Sequence, residues 1–208
     1  MTTQPGSLSV DAREGRRVTV SRRTRETDIT LTLDLDGSGT VDVHTGVGFY
    51  DHLLGSFAHH GLFDLAIRVA GDLEVDEHHT VEDVALILGA AFAEALGDRS
   101  GIARFGQSAV PMDEALASAV IDVGGRPYAV IDLSFLGERV GGLPLQLIEH
   151  ALESFSRTAG ATLHLSGTGR NDHHLAEAAF KALGRALRVA CELDPRRTGV
   201  ASTKGVLG

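Results

Sequence analysis

The chain has a single cysteine, Cys191, in 208 residues. No disulfide framework can form within it, and its stability must come from an apolar core. Long hydrophobic runs are also missing. The longest uncharged one, "VALILGAAFA" (84–93), falls well short of the roughly 20 residues that a bilayer-spanning helix needs. The opening stretch "MTTQPGSLSVDAREGRR" contains no apolar segment fit for a signal peptide. Positive charge is scarce: 19 Lys and Arg stand against 28 Asp and Glu, a formal net charge of −9. That balance excludes a general binder of nucleic acid or anionic membrane, which needs a positive field. The expectation is a cytoplasmic globular protein, one large domain or two small ones.

Histidine, by contrast, is plentiful, with ten residues at 44, 52, 59, 60, 78, 79, 150, 164, 173 and 174. Charge also shifts at the end of the chain. The last residues, "PRRTGVASTKGVLG", carry Arg196, Arg197 and Lys204 and no acid. This cationic Gly/Ser/Thr-rich tail is expected to be mobile until an anion meets it.

The periodicity is written twice. "VTVSRRT" (18–24), "DITLTLDLDG" (28–37) and "GTVDVHTG" (39–46) alternate apolar and polar residues, as half-buried antiparallel strands do. "DGSG" between the last two is expected to be a hairpin turn. A helix from about Phe49 to His60, a strand in "LAIRVAG" and a helix from about His79 to Leu96 complete the first set. The second set runs "ARFGQSAV", "ALASAVIDVGG", "YAVIDLSF", then the helix "PLQLIEHALESFSRTAG", opening with Pro144 and closing on Gly160. The strand "ATLHLSG" and the helix "DHHLAEAAFKALGRALRVAC" end it. The fold expected is α+β, two βββαβα halves sharing one core. The boundaries are a flexible N-terminus (1–12), half-repeats at 13–98 and 99–193, and the tail (194–208).

The chemistry repeats with the architecture. "DHLLGSF" (51–57) matches "EHALESF" (149–155), which sets His52 opposite His150. "EHHTVEDVALIL" (77–88) matches "DHHLAEAAFKAL" (172–183), which sets His78, His79 and Glu82 opposite His173, His174 and Glu177. On a helix, residues three and four apart share a face while neighbours diverge by about 100°. One imidazole of each adjacent pair can therefore join its Glu at one ion, and the other must reach towards a second. Six histidines and two glutamates divide evenly into two sites of three His and one Glu. Imidazole suits Zn, Fe, Ni or Cu, and mixed His/carboxylate ligation admits Mn. His44, His59, His60 and His164 have no repeat partners and read as structural or supporting residues. Lys181, four residues after Glu177, reads as its helix-face partner.

Two short matches point elsewhere. "LTLDLDGSGT" (31–40) resembles the nucleophile motif of haloacid-dehalogenase-type phosphatases, but Asp34 and Asp36 lie on the polar side of a cleanly alternating strand. "DHH" (172–174) resembles the DHH phosphoesterases, whose further aspartates nothing here supplies.

One resemblance covers nearly the whole chain after the first dozen residues. "RTRET" (23–27), "DHLLGSFAHHGLF" (51–63), "EHHTVEDVALILG" (77–89), "ARFG" (103–106), "GGRPY" (124–128), "EHALESF" (149–155), "NDHHLAEAAFKALGRAL" (171–187) and "STKG" (202–205) are together similar to imidazoleglycerol-phosphate dehydratases of histidine biosynthesis. Ala201 stands where many relatives carry proline, and no fused phosphatase half is present, which implies the monofunctional form. The resemblance implies a duplicated fold like domain 2 of ribosomal protein S5, with helices sandwiched between two four-stranded sheets. It also implies two Mn2+ ions held by His52, His78, His79, Glu82, His150, His173, His174 and Glu177, with ligands crossing between subunits. Trimers would build a 24-subunit shell.

The reaction implied is dehydration of D-erythro-imidazole-glycerol phosphate to imidazole-acetol phosphate. Metal on the ring nitrogens would favour an imidazolate and a diazafulvene-like intermediate. Glu26, in "RTRET", matches the family's acid/base glutamate, and Glu177 could shuttle a second proton. Arg104, Arg126, Ser202, Thr203 and Lys204 match the phosphate-binding positions, for which guanidinium and ammonium groups are apt. The rival classes are a non-enzymatic metal-binding shell, which leaves Glu26 and the arginines idle, and a dinuclear phosphohydrolase, which expects bridging carboxylates.

Overall fold

The computed structural model describes residues 6–207. The first half comprises β1 (Leu8–Glu14), β2 (Arg17–Arg23), β3 (Thr27–Asp34), β4 (Val41–His44), α1 (Gly48–Gly61), β5 (Asp64–Gly71) and α2 (His78–Leu96). The second comprises β6 (Phe105–Met112), β7 (Ala115–Asp122), β8 (Tyr128–Leu133), a short hairpin of β9 (Arg139–Val140) and β10 (Leu143–Pro144), then α3 (Gln146–Ala159), β11 (Thr162–Thr168) and α4 (Asp172–Cys191). One sheet runs β1-β2-β3-β5-β4 and the other β6-β7-β11-β8. Without β1 the two orders are identical under the repeat, so the duplication is visible in the topology.

The helices lie between the sheets, as expected. Strand alternation drives this: along β3, Ile29, Leu31 and Leu33 are fully buried while the residues between them face outward. Each such side chain contributes about 1.5–3 kcal/mol by leaving water. The helices pair across the halves, α1 with α4 and α2 with α3. Glycine sets both crossings. A Cβ on Gly184 of α4 would sit 2.2 Å from the Phe57 carbonyl of α1, and one on Gly89 of α2 would sit 2.4 Å from the Phe155 carbonyl of α3. Cys191 closes α4 in the core, where burial pushes its thiol up to about 12. Among the described residues no helix is long and apolar enough to cross a membrane.

Three expectations need correction. "DGSG" is not a hairpin turn, because β4 does not pair with β3. It lies at the sheet edge and pairs in parallel with β5, which sits between them. The loop from β3 therefore crosses over the start of β5, so closely that a Cβ on Gly37 would lie 2.4 Å from the Asp64 nitrogen. The Asp64 carboxylate holds the crossing by accepting from the Ser38 and Thr40 N–H groups, both at 2.8 Å. Next, residues 8–12, expected to be flexible, belong to β1. Leu8, Val10 and Ala12 alternate with polar residues there, but its side chains are mostly exposed with no alternation in burial, and it is held by its ladder to β2, with a bulge between Val10 and Ala12 of the kind common at sheet edges. Residues 1–5 of that segment, and Gly208 of the tail, lie outside the described residues. Finally, Pro144 falls in β10, and α3 opens at Gln146.

Candidate active site

The helix N-termini carry the chemistry, and local capping puts it there. Asn171 accepts from the backbone N–H groups of His173 and His174 at the head of α4, and Asp76 accepts from that of His78 at the head of α2. Because α1 pairs with α4 and α2 with α3, each half lends a histidine to the other half's helix. His52 Nε2 lies 2.9 Å and His173 Nε2 3.2 Å from Glu177 Oε2. His150 Nε2 lies 3.4 Å from Glu82 Oε1, and His78 Nε2 3.8 Å from Glu82 Oε2. Each set has its ligand-capable atoms within 4.8 Å of one another. Among the described residues His150 Nε2 is buried and, despite Glu82 at 3.4 Å, makes no hydrogen bond, as suits a metal donor.

The electrostatics of the two sets differ. Glu177 is buried; burial works to raise its pKa, but Lys181 Nζ at 2.7 Å and the neighbouring His52 outweigh it, holding the carboxyl down at about 2. Phe49 packs against both imidazoles there, its ring centroid 4.9 Å from His173 and 6.0 Å from His52. Beside Glu82 stands the Arg157 guanidinium, 3.7 Å away.

His79 and His174, the second members of the adjacent pairs, turn away as the helical angle requires. His79 Nδ1 lies 2.9 Å from Asp72 Oδ2, and its Nε2 is 3.8 Å from Glu26 Oε1. His174 Nδ1 lies 3.0 Å from Glu114 Oε2. These carboxylates raise both imidazole pKa values. Within one chain, then, each set holds two His and one Glu rather than three and one.

A cleft of about 550 Å³ brings together Arg104, Arg126, Ser202, Thr203 and Lys204 with Arg197. Arg104 is fixed there at a left-handed φ of 74°. Its Nε and Nη2 donate to the two oxygens of Asp122 at 2.7 and 2.8 Å, and its Nη1 donates to the Ala201 carbonyl at 2.6 Å. The guanidinium lies across Gly124, where a Cβ would come within 2.7 Å of Nη2, and over the Phe105 ring at 4.6 Å. One arginine thus ties the tail to the second sheet.

Comparison with known proteins agrees on one family. A family model of imidazoleglycerol-phosphate dehydratase matches residues 45–187. The dehydratase of Methanoculleus marisnigri is 56% identical over 188 residues, 90% of this chain and 97% of the relative. That of Chloroflexus aurantiacus is 55% identical over 194 residues, 92% and 95% of the two chains. The crystal structure of the enzyme from Pyrococcus furiosus superposes with a TM-score of 0.78 at 36% identity, covering 90% of this chain and 99% of that one. The chain belongs to the imidazoleglycerol-phosphate dehydratase family. It is a hydro-lyase of histidine biosynthesis.

In this dehydratase the sequence-derived site residues fall into two places. The histidines, Glu82, Glu177 and Glu26 gather at the N-terminal ends of α2 and α4, whereas Arg104, Arg126 and residues 202–204 gather at the opposite end. Ala103 and Arg104 bond through their N–H groups to the Glu192 and Ala190 carbonyls, at the end of α4. The remaining histidines stand apart. His44 pairs with Asp42 at 3.0 Å, His59 Nδ1 lies 3.4 Å from the Gly39 carbonyl, and His164 is exposed on β11. Burial, then Lys181, lowers the pKa of His60. Sequence reasoning missed Asp72, Glu114 and Asp122. All three are acidic residues at strand ends or turns, indistinguishable there from solvated surface charge.

Proposed function

We propose that the chain dehydrates D-erythro-imidazole-glycerol phosphate to imidazole-acetol phosphate, using two Mn2+ per active site, as a cytoplasmic homo-oligomer of 24 copies built from trimers. The observation that carries the metal dependence is the repeated gathering of two imidazoles and one carboxylate, at His52/His173/Glu177 and at His78/His150/Glu82. Their Nε2 and carboxylate oxygens form a donor set that suits a borderline divalent ion, and the unpartnered His150 Nε2 fits one. When bound, such an ion supplies Lewis acidity towards the substrate's imidazole ring. A single carboxylate in each set argues against a phosphohydrolase with bridging carboxylates.

The assembly is supported by a distance. From His173 to Ala190 is about 25 Å at 1.5 Å per helical residue, and the anion cleft lies at the far end of that span. A substrate with three carbons between ring and phosphate cannot touch both ends of one chain. The imidazole end is therefore held by the histidine sets, completed by His79 and His174 from neighbouring copies, and the phosphate is held by another copy's cleft. There Arg104, Arg126 and Lys204 supply charge and Ser202 and Thr203 supply hydroxyl donors.

Glu26 acts on the proton. Its carboxylate is half-exposed and 3.8 Å from His79 Nε2, which supports grouping it with the imidazole-binding residues as the group that accepts or returns a proton. Glu177, held anionic by Lys181, serves as a ligand and would carry a second proton only when substrate displaces it. The test is Glu26→Gln, assayed with imidazole-glycerol phosphate alongside elemental analysis. Turnover should fall by roughly 10²- to 10⁴-fold with metal content unchanged; undiminished turnover removes Glu26 from the reaction.

A further inference from the structure

The β2–β3 turn that carries Glu26 has a counterpart in the second half, the β6–β7 turn. Each turn precedes an eight-residue strand, Thr27–Asp34 and Ala115–Asp122, that enters the sheet in the same register. Asp34 pairs with Asp64 at the start of β5, as Asp122 pairs with Thr162 at the start of β11. The residue before each strand is a glutamate, Glu26 in one half and Glu114 in the other.

The two glutamates do different things. Glu114 Oε2 lies against His174 Nδ1, while its Oε1 accepts the backbone N–H groups of Arg170 and Asn171 at 3.1 and 2.8 Å. Among the described residues the Glu26 carboxylate makes no comparable bond, its nearest imidazole nitrogen being His79 Nε2 at 3.8 Å. His79, the repeat partner of His174, has its Nδ1 on Asp72, whose other oxygen is buried without a partner.

We infer that Glu114 and Asp72 are positioning residues that hold the Nδ1–H tautomers of His174 and His79, so that each presents a bare Nε2 to a metal, and that recruitment of Asp72 released Glu26, the duplicate of Glu114, for other work. An imidazole whose Nδ1–H donates to a carboxylate has its Nε2 lone pair free and aimed, the usual arrangement behind a metal-bound histidine. This rests on the metal reading above for His79 and His174.

The chemistry of amides gives a sharp test. In Glu114→Gln the two backbone N–H donors claim the amide oxygen, so the NH2 group faces His174 Nδ1. The ring must then accept at Nδ1 and carry its proton on Nε2, where it blocks the metal. In Asp72→Asn no backbone donor fixes the amide, which can turn its oxygen to the ring and preserve the tautomer.

Purified metal-loaded protein dialysed against graded EDTA, with Mn per chain read by elemental analysis, should show Glu114→Gln releasing one of its two metals at roughly ten- to hundredfold lower chelator. Asp72→Asn should release close to where the wild type does, and Asp72→Ala much earlier. Unchanged melting in excess Mn2+ would show that the fold is intact. Wild-type retention in Glu114→Gln overturns the inference, as does equal release by Asp72→Asn. A wild type without metal overturns the metal reading itself, whatever the variants do.

Discussion

The two histidine–glutamate sets descend from one repeat, yet they are built to different tightness. Around Glu177 the imidazoles close to 2.9 and 3.2 Å and an ammonium sits at 2.7 Å. Around Glu82 they stand at 3.4 and 3.8 Å, with a guanidinium at 3.7 Å. The cause is one position per helix. Lys181 lies one turn after Glu177, where α2 has Leu86 one turn after Glu82. The second set draws its cation instead from across the helix pair, through Arg157 of α3. Duplication copied the ligands without copying the counter-charge, so one carboxylate meets a lysine of its own helix and the other an arginine of the facing helix.

Removing the two cations should split the sets widely. Lys181→Met leaves Glu177 buried without its ammonium and is expected to cost roughly 3 kcal/mol, the scale for breaking a buried pair from one side. Arg157→Met removes a partner whose side chain is 63% exposed and should cost less than about 1 kcal/mol. Chemical unfolding at one protein concentration and one metal content reads both, since assembly and ligand binding shift apparent stability. Equal costs would mean that the tighter geometry around Glu177 carries no extra energy.

The glycine crossings make the opposite prediction, that the halves behave alike. Gly184→Ala and Gly89→Ala each drive a methyl into a carbonyl of the facing helix, and overpacking of this kind costs about 1–3 kcal/mol. Thermal melts should drop by several degrees for each. A tolerated substitution at one crossing alone would show that the two helix pairs are not held by the same contact.

Much of this was legible in the sequence because it was local and repeated. Helix periodicity and the i,i+4 spacing of His173 to Glu177 and of His78 to Glu82 are short-range, and the repeat exposed which residues belonged together. The β3–β4 connection was not legible. Gly-rich turns between alternating strands ordinarily close hairpins, and what diverts this one is Asp64, more than twenty residues downstream, gripping Ser38 and Thr40. β1 escaped because its alternation is short, only Leu8, Val10 and Ala12, and buries little of any of them. The cross-half helix pairing, which decides that His52 meets Glu177 rather than Glu82, is tertiary and leaves no periodic trace.

Asp64 also offers the finest comparison of the halves. Its repeat position is Thr162, whose hydroxyl donates to the Arg126 carbonyl at 3.0 Å, so a carboxylate fastens the β3–β4 crossover and a neutral group fastens the β7–β8 one. The N–H groups of Thr40 and Ser38 hold the Asp64 pKa below its ordinary value of 3.8. A lowered folded pKa means that its contribution is complete above about pH 3.8 and disappears as the pH falls through the folded value. Asp64→Asn keeps an oxygen to accept both bonds but has no charge to titrate. At neutral pH it should cost less than about 1 kcal/mol, because the group is largely solvent-screened. Its stability should also fall less steeply than that of the wild type below pH 4, when chemical unfolding is followed at a series of acid pH values. Parallel acid slopes for the two proteins would place the hold on the crossover in hydrogen-bond geometry alone, and the halves would then differ in shape at this point but not in charge.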